Sequence, residues 1–173
     1  MEANLLNKPS TFNNQFMNGN EAVIRRFYTA FQQLDYAAMN SCYTTDAVFS
    51  DPVFGLLQGE EIPAMWEMLC KTAKNFSLDF SDIQLLDEEY ATCKWVAGYT
   101  FSKTGRPVVN NVKAHMRIRQ GKITEHTDKF DLWKWSRQAL GIPGLLLGWS
   151  GFIQNKVHRT ATRSLEKFMK AEK

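Results

Sequence analysis

The sequence predicts an α+β fold in which helices pack against a strongly bent sheet. Apolar residues recur every three or four positions over 21–34, the period of an amphipathic helix, whereas 91–101 and 108–118 alternate in the manner of strands. Residues 77–86 also alternate, but their apolar phase changes near Ser81–Asp82, which indicates a β-bulge and a bend in the sheet. Helices followed by a run of strands are typical of the α+β class.

Three helices are expected before these strands. The Asn-rich residues 1–19 are expected to form a loose arm, and Asn20 is a suitable N-cap for the first helix. Asp35 begins a short second helix that runs through Tyr43. The third helix opens at Gly59, where the acidic residues that follow suit the helix dipole. Its predicted buried stripe consists of Ile62, Met65, Trp66 and Leu69.

The stretch CYTTDAVFSDPVFG (42–55) carries the first candidate residue. Ala47, Phe49 and Asp51 occupy alternate positions of a short strand, and Pro52 ends it because proline cannot donate to the sheet. Asp51 has apolar neighbours, and burial raises the pKa of a carboxyl and can make it a general base. The alternative is an Asp that accepts backbone N–H groups in the turn it opens.

The stretch GKITEHTDKFD (121–131) carries the second set. His126, Asp128 and Phe130 share one face of a strand, with the first two roughly 6–7 Å apart. A carboxylate beside an imidazole favours its charged form and fixes its orientation. The alternative is a solvated polar edge.

Taken in order and spacing, the DPV.G and EH.D motifs resemble those of the nuclear transport factor 2-like superfamily, and within it the SnoaL-like (polyketide cyclase) and ketosteroid isomerase-like groups. The resemblance covers residues 20–140. It implies a cone-shaped, cystatin-like α+β barrel, in which a curved mixed sheet wraps around the N-terminal helices. It also implies one apolar pocket and a homodimer.

The ketosteroid isomerase resemblance places that family's general base on Asp51. Its two oxyanion donors, a Tyr and a protonated Asp, fall on Phe27 and Ala114. Losing one such donor typically costs hundreds-fold in rate, so a steroid isomerase working by that mechanism is not expected.

The other enzymes of the superfamily draw attention to Asp128. Limonene-epoxide hydrolases use an Asp-Arg-Asp set, whose second Asp falls on Asp128 but whose Arg and first Asp fall on Trp95 and Ala97. SnoaL-like cyclases use an acid-base Asp near Asp128, and this arrangement departs least from the present sequence.

The same resemblance predicts which side chains line the pocket, because the apolar strand faces then point inward. Asn110 is the inward amide and could orient a ligand carbonyl; the alternative is a hydrogen bond to the adjacent turn. His115 points outward. The predicted ligand-binding set is Phe27, Phe49, Trp95, Ala97, Tyr99, Asn110, Val112, Ala114, Met116 and Phe130.

Two functions follow for this pocket. The first is a cofactor-free isomerase, cyclase or lyase, in which Asp51 or Asp128 moves a proton at carbon, His126 relays it, and Asn110 or Tyr99 donates a hydrogen bond. The second is binding of a small apolar ligand without chemistry. No metal is expected, because the three histidines and three cysteines lack ligand spacing.

The C-terminal residues 141–173 are expected to form an amphipathic helical extension. The positive charge is concentrated in residues 131–173, which hold eight Lys or Arg against three Asp or Glu. The stripe from Ile153 to Phe168 favours packing on the barrel or on a dimer mate. Docking of this extension on a partner or an anionic membrane surface is the less favoured interpretation, and nucleic-acid binding is not expected.

The cellular location is expected to be the cytoplasm. The N-terminus lacks the apolar core of a signal peptide, and the widely spaced cysteines suit a reducing compartment.

Overall fold

The computed structural model describes residues 11–171, which form six helices and six strands. The helices are α1 (Thr11–Gln32), α2 (Tyr36–Asn40), α3 (Glu61–Thr72), α4 (Leu132–Leu140), α5 (Ile142–Leu147) and α6 (Gly151–Ala171). The strands are β1 (Tyr43–Asp51), β2 (Gly55–Gln58), β3 (Ser77–Leu85), β4 (Tyr90–Phe101), β5 (Arg106–Arg119) and β6 (Lys122–Lys129).

The strands form one curved, mixed sheet in the order β2-β1-β6-β5-β4-β3. Neighbouring strands are antiparallel except β1 and β6, which run parallel. The predicted α+β class and curved mixed sheet are therefore confirmed, and the sheet stays open with β2 and β3 at its edges.

The bend predicted in β3 is confirmed. Its pairing with β4 changes register between Ser81 and Gln84, and Asp82 has a positive φ of 57°. An extra residue on one strand increases the local twist, which curves the sheet around the helices.

The core lies between the sheet and the helices α1 and α3. Phe27 and Phe31 of α1 contact Trp66 of α3 edge-on, and Phe31 also contacts Trp95 of β4 edge-on. All four rings are buried. Aromatic pairs in such geometry gain attraction beyond their burial, so the helices are fixed to the concave face of the sheet.

The N-terminal prediction needs correction. α1 begins at Thr11, so residues 11–19 of the predicted loose arm are helical, while residues 1–10 lie outside the described part of the chain. Asn20 lies within α1 and is not its N-cap; its side-chain amide donates to the Glu88 carbonyl oxygen at 2.8 Å. A buried amide with a distant partner is a tertiary contact, which helical periodicity cannot reveal.

Two further boundaries differ from those expected. The second helix ends at Asn40 instead of continuing to Tyr43, which begins β1. The short strand β2 was not predicted; it pairs with β1 directly after the DPV turn, with Asp51 opposite Gly55.

The C-terminal extension packs on the rest of the fold. Ahead of it, α4 has Asp131 as its N-cap and ends at Gly141, which has a φ of 67°. Leu165 of α6 is 2% exposed and belongs to the main core, and Val157 packs beside Trp135 of α4. No helix within residues 11–171 is both long enough and apolar enough to cross a membrane.

Candidate active site

A chain of hydrogen bonds runs through the middle of the sheet, from the half-buried Tyr43 to the buried His126 and Asp128. The hydroxyl of Tyr43 lies 2.6 Å from Nδ1 of His126, and Nε2 of His126 lies 3.1 Å from Oδ1 of Asp128. The indole Nε1 of Trp95 also donates to that Asp128 oxygen, at 3.3 Å. The His126 tautomer with its proton on Nε2 satisfies both bonds, because Nδ1 then accepts from Tyr43. We call Tyr43, His126 and Asp128 the relay.

Neighbouring strands hold the relay in place. Phe49 of β1 is the register partner of His126 on β6, and on the other side Met116 and Ala114 of β5 face His126 and Asp128. His126 and Asp128 point to the same face because strand residues alternate. Ala114 is small, and the Trp95 indole reaches Asp128 from the next strand beyond it.

Aromatic rings surround the imidazole. Phe27 and Phe49 meet it edge-on at centroid distances of 5.6 and 5.2 Å, while Trp66 stacks against it at 6.2 Å. His126 is 1% exposed and Asp128 is 4% exposed. In such a water-poor environment electrostatic interactions are stronger than at the surface. A proton that moves along the relay would therefore change the electrostatic energy of all three residues.

Burial also affects the tyrosines of this region. It raises the pKa of Tyr43 well above its ordinary value, and the charge of Asp128 adds to the effect. The pKa of Tyr28, on α1, is raised for the same two reasons. Both phenols are therefore hydrogen-bond donors at neutral pH.

Two donors beside the relay lack a partner. Among the described residues, the hydroxyl of Tyr28 has no hydrogen-bond partner, and Nε1 of Trp66 has none of normal geometry, although it lies close enough to the Tyr43 hydroxyl to lower the pKa of that phenol. An unsatisfied buried donor typically costs about 1–3 kcal/mol. A ligand oxygen that reached either group would supply the missing hydrogen bond.

Asp51 lies at the end of β1 and is not part of the relay. Its Oδ1 accepts the backbone N–H groups of Val53 and Phe54 at 2.9 and 2.5 Å, so it caps the DPV turn. Burial nevertheless raises its pKa to about 6, against the effect of these bonds, and the charge of Asp128 contributes. The hydrogen bonds of Asp51 are those of the turn-capping alternative. Its raised pKa is the change predicted from its apolar neighbours.

Helix α6 covers this turn. His158 Nδ1 lies 3.0 Å from the Val53 carbonyl oxygen, and a Cβ on Gly55, which has a φ of 72°, would be 2.9 Å from the His158 ring. The positive φ favours glycine at this position. Because glycine has no Cβ, α6 can approach the turn closely.

The predicted ligand-binding residues divide into two groups. Those on the inner face near the relay are buried in the packed core: Phe27, Phe49, Trp95, Ala97, Val112, Ala114 and Met116. Tyr99, Asn110 and Phe130 are half-buried, and Tyr99 and Phe130 pack against the apolar cluster that contains Trp135 of α4. The Tyr99 hydroxyl accepts a 2.7 Å hydrogen bond from Nε1 of Trp135, so α4 already uses the group predicted to face a ligand.

A surface cavity of about 110 Å³ opens beside the relay. Tyr43 forms part of its wall, and so does Asn40, whose buried Oδ1 has no hydrogen-bond partner among the described residues. Ile62 and Pro63 of α3 provide apolar wall. The relay therefore has one end at an opening to the surface.

Sequence reasoning missed Tyr43, Tyr28 and Trp66 as site residues. Tyr43 was assigned to a helix, and Trp66 was assigned to the core, where its ring does pack. Tyr28 directly follows Phe27, the position of the family's oxyanion Tyr, and this adjacency was the available signal. Among residues 11–171, no three His, Cys, Asp or Glu side chains are grouped so that they could hold a metal ion.

The family model for the SnoaL-like domain matches residues 24–126. The match includes the part of α1 from Ile24 onward, the DPV turn and His126, and it ends just before Asp128. No curated protein matches the chain.

Solved structures with the same fold share little sequence with the chain. A hypothetical protein with a ketosteroid isomerase-like fold from Catenulispora acidiphila, in complex with trimethylamine, superposes with a TM-score of 0.61 at 18% identity, covering 70% of this chain and 94% of that one. A Xanthomonas campestris protein provisionally named a polyketide cyclase gives 0.60 at 18%, covering 72% and 98%. A Bacillus subtilis protein provisionally named an isomerase gives 0.61 at 15%, covering 73% and 95%.

Proposed function

The chain belongs to the family of SnoaL-like domains, and on that premise we propose that it is a cofactor-free isomerase or cyclase that moves a proton at carbon in a small apolar carbonyl compound. The observation that carries the proposal is the buried relay of Tyr43, His126 and Asp128 beside two unpartnered donors. Neutral donors next to a carboxylate in an apolar site are the groups that enolisation requires.

In the proposed reaction Asp128 is the base. Its carboxylate takes a proton from the carbon next to the carbonyl group, and the C–H electron pair moves into the new C=C bond of the enolate. The carbonyl oxygen gains negative charge and is stabilised by the Tyr28 hydroxyl and the Trp66 indole N–H. When the substrate is a β,γ-unsaturated ketone, the enolate is conjugated with the second C=C bond. Asp128 then returns the proton to the γ carbon, the C=C bond moves into conjugation with the re-formed carbonyl group, and the carboxylate is regenerated.

His126 and Tyr43 keep the base in its working state. The imidazole orients the Asp128 carboxylate, and the Tyr43 hydroxyl orients the imidazole. Asp51, whose pKa is raised to about 6, is largely protonated below that pH and can then donate a proton to the substrate. It is a second acid, distinct from the base.

Apolar ligand binding without chemistry is the second candidate. The observation in its favour is the replacement of the family's two donors by Phe27 and Ala114, both fully buried. In that case the cavity beside Tyr43 would hold the ligand, and the relay would be a satisfied polar network of the core.

Deuterium exchange tests the enzyme proposal. The protein is incubated in D₂O with a panel of cyclic ketones and enones, and mass spectrometry measures deuterium incorporated at carbon. Wild type should accelerate exchange, and Asp128→Asn should reduce the rate by roughly 10²–10⁴-fold. The matched control is Asp46→Asn, an exposed carboxyl on β1, which should leave the rate unchanged.

Tyr28→Phe provides a variant that keeps the fold. Removing an unpartnered buried hydroxyl should raise the free energy of unfolding by about 1 kcal/mol, while removing an oxyanion donor should lower the exchange rate by roughly 10²–10³-fold. A panel in which no compound exchanges above buffer, together with a ligand retained in native mass spectrometry, would instead support the binding protein.

A further inference from the structure

The most exposed apolar surface of the described chain surrounds α5. Six large apolar side chains between positions 142 and 152 are exposed to between 49% and 73%. We call them the α5 surface: Ile142, Leu145, Leu146, Leu147, Trp149 and Phe152. Soluble proteins rarely leave so many large apolar groups together without a docking role.

The way α5 is held makes this exposure a fixed property of the fold. Gly144 and Gly148 lie on the same edge of α5 and rest on α4: a Cβ on Gly144 would lie 1.9 Å from the Ser136 carbonyl oxygen, and one on Gly148 would lie 2.9 Å from the Ser136 Cβ. Because glycine has no Cβ, α5 can lie this close to α4 at these two positions. The side chains of α5 are therefore directed away from the body.

The exposed side chains do not form a single flat stripe. Leu145, Leu146 and Leu147 are consecutive, and successive helical residues point roughly 100° apart. Their exposure spans about 200° of the helix circumference, wider than the apolar stripe of roughly 100° that packs against a protein face. Lipid can surround apolar side chains that project in several directions, whereas the face of a protein can cover only one side of the helix.

The positive charge of the residues around the α5 surface favours an anionic partner. Residues 132–165 contain no Asp or Glu but contain five Lys or Arg. These are Lys134, Arg137, Lys156, Arg159 and Arg163. Exposed apolar and aromatic side chains with cations and without acids are the composition of segments that lie in a membrane interface.

A basic cavity adjoins the α5 surface. It has a volume of about 400 Å³ and is lined by Arg106, Arg137, Ile142 and Leu145, among others. The Arg106 guanidinium donates to the Gln138 carbonyl oxygen at 2.8 Å, and the Arg137 guanidinium lies 5.0 Å from the Trp133 ring centroid. Two oriented guanidinium groups beside apolar side chains suit a lipid phosphate and the start of its acyl chains.

We propose that the α5 surface docks peripherally on membranes that contain anionic phospholipid. In this arrangement the α5 side chains enter the headgroup boundary, and Arg106 and Arg137 bind a lipid phosphate. The inference is independent of the reaction proposed for the relay, because it uses none of the relay residues. It also revises the expectation that membrane docking is the less favoured role of the extension.

Vesicle co-sedimentation of the full chain tests this proposal. The protein should sediment with phosphatidylcholine vesicles that contain phosphatidylserine and remain in solution with phosphatidylcholine alone. Leu146→Ser combined with Phe152→Ser should weaken partitioning roughly tenfold or more for each side chain. The matched control is Leu56→Ser with Leu86→Ser, equally exposed leucines outside the surface, which should have no effect.

A charge series tests the phosphate contact. Arg106→Gln combined with Arg137→Gln should weaken binding by about fivefold per cation, and Lys74→Gln with Lys113→Gln, exposed cations elsewhere, should change it little.

Two results would overturn the proposal. One is wild-type protein that does not sediment with anionic vesicles at low or physiological salt. The other is a variant pair at Leu146 and Phe152 that lowers the oligomer mass in sedimentation equilibrium and leaves vesicle binding unchanged, since the surface would then be an interface between copies.

Discussion

Replacing Asp51 by Asn removes a buried ionisation from the DPV turn. The asparagine oxygen can still accept the N–H groups of Val53 and Phe54, because Asn forms the same kind of turn. In the wild type, burial raises the pKa of Asp51 from 3.8 to about 6. Between these pH values the folded protein holds a proton that the unfolded chain has lost, so its stability falls as the pH rises.

The size of the effect follows from the two pKa values. Their difference corresponds to about 3 kcal/mol, and this is an upper value because the carboxyl is only partly shielded from water. The stabilising proton is fully present below about pH 4 and has been lost once the pH is well above 6. Relative to wild type, Asp51→Asn should therefore gain up to about 3 kcal/mol between pH 4 and pH 8.

Urea denaturation of both proteins across this pH range measures the difference directly. Subtracting one curve from the other cancels the other titrating groups that the two proteins share. Asp46→Asn, an exposed carboxyl on the same strand, is the control and should show a much smaller trend. A difference between wild type and Asp51→Asn that stays constant from pH 4 to pH 8 would refute the reasoning.

Three other predictions concern packing and assembly. Tyr43→Phe leaves the buried imidazole nitrogen without its partner and should lower the free energy of unfolding by about 1–3 kcal/mol in urea denaturation, whereas Tyr90→Phe, at an exposed position, should change it little. Leu165→Ala should cost about 2–5 kcal/mol, and the exposed control Phe152→Ala less than about 0.5; equal losses would contradict the core position of α6. We expect a homodimer through the outward sheet face that carries Val109; sedimentation at micromolar protein should show a dimer that Val109→Asp dissociates, and a monomeric wild type would contradict this.

The elements with regular periodicity were predictable from sequence. The bulge near Asp82 followed from a change of phase, and the start of α3 followed from Gly59 and the acidic residues after it. Both signals are local, because a strand face and a helix end are determined by neighbouring residues. The N-terminal half of α1 was missed for the opposite reason, since its Asn-rich sequence lacks a clear apolar stripe.

The candidate site was predictable only in part. His126 and Asp128 share a strand face, so their proximity followed from the alternation of residues. Tyr43 joins them through the parallel pairing of β1 and β6, in which the register shifts between Tyr43 and Val48. Because such a shift changes which residues face inward, the local pattern could not place Tyr43 beside His126.

The parallel pairing of β1 with β6 also constrains how the protein folds. Paired residues of the two strands lie 77 to 80 positions apart in the chain, from Val48–Glu125 to Tyr43–Ile123. A pairing between such distant segments costs loop-closure entropy before any contact is gained. We expect the helices and the β3–β4–β5 meander to form early, with β1 left as an exposed strand until β6 reaches it. The relay is assembled in that late step, because one of its members belongs to β1 and two belong to β6. A folding intermediate would therefore have much of the final secondary structure, no connected relay, and an unpaired edge at Phe49 that favours aggregation.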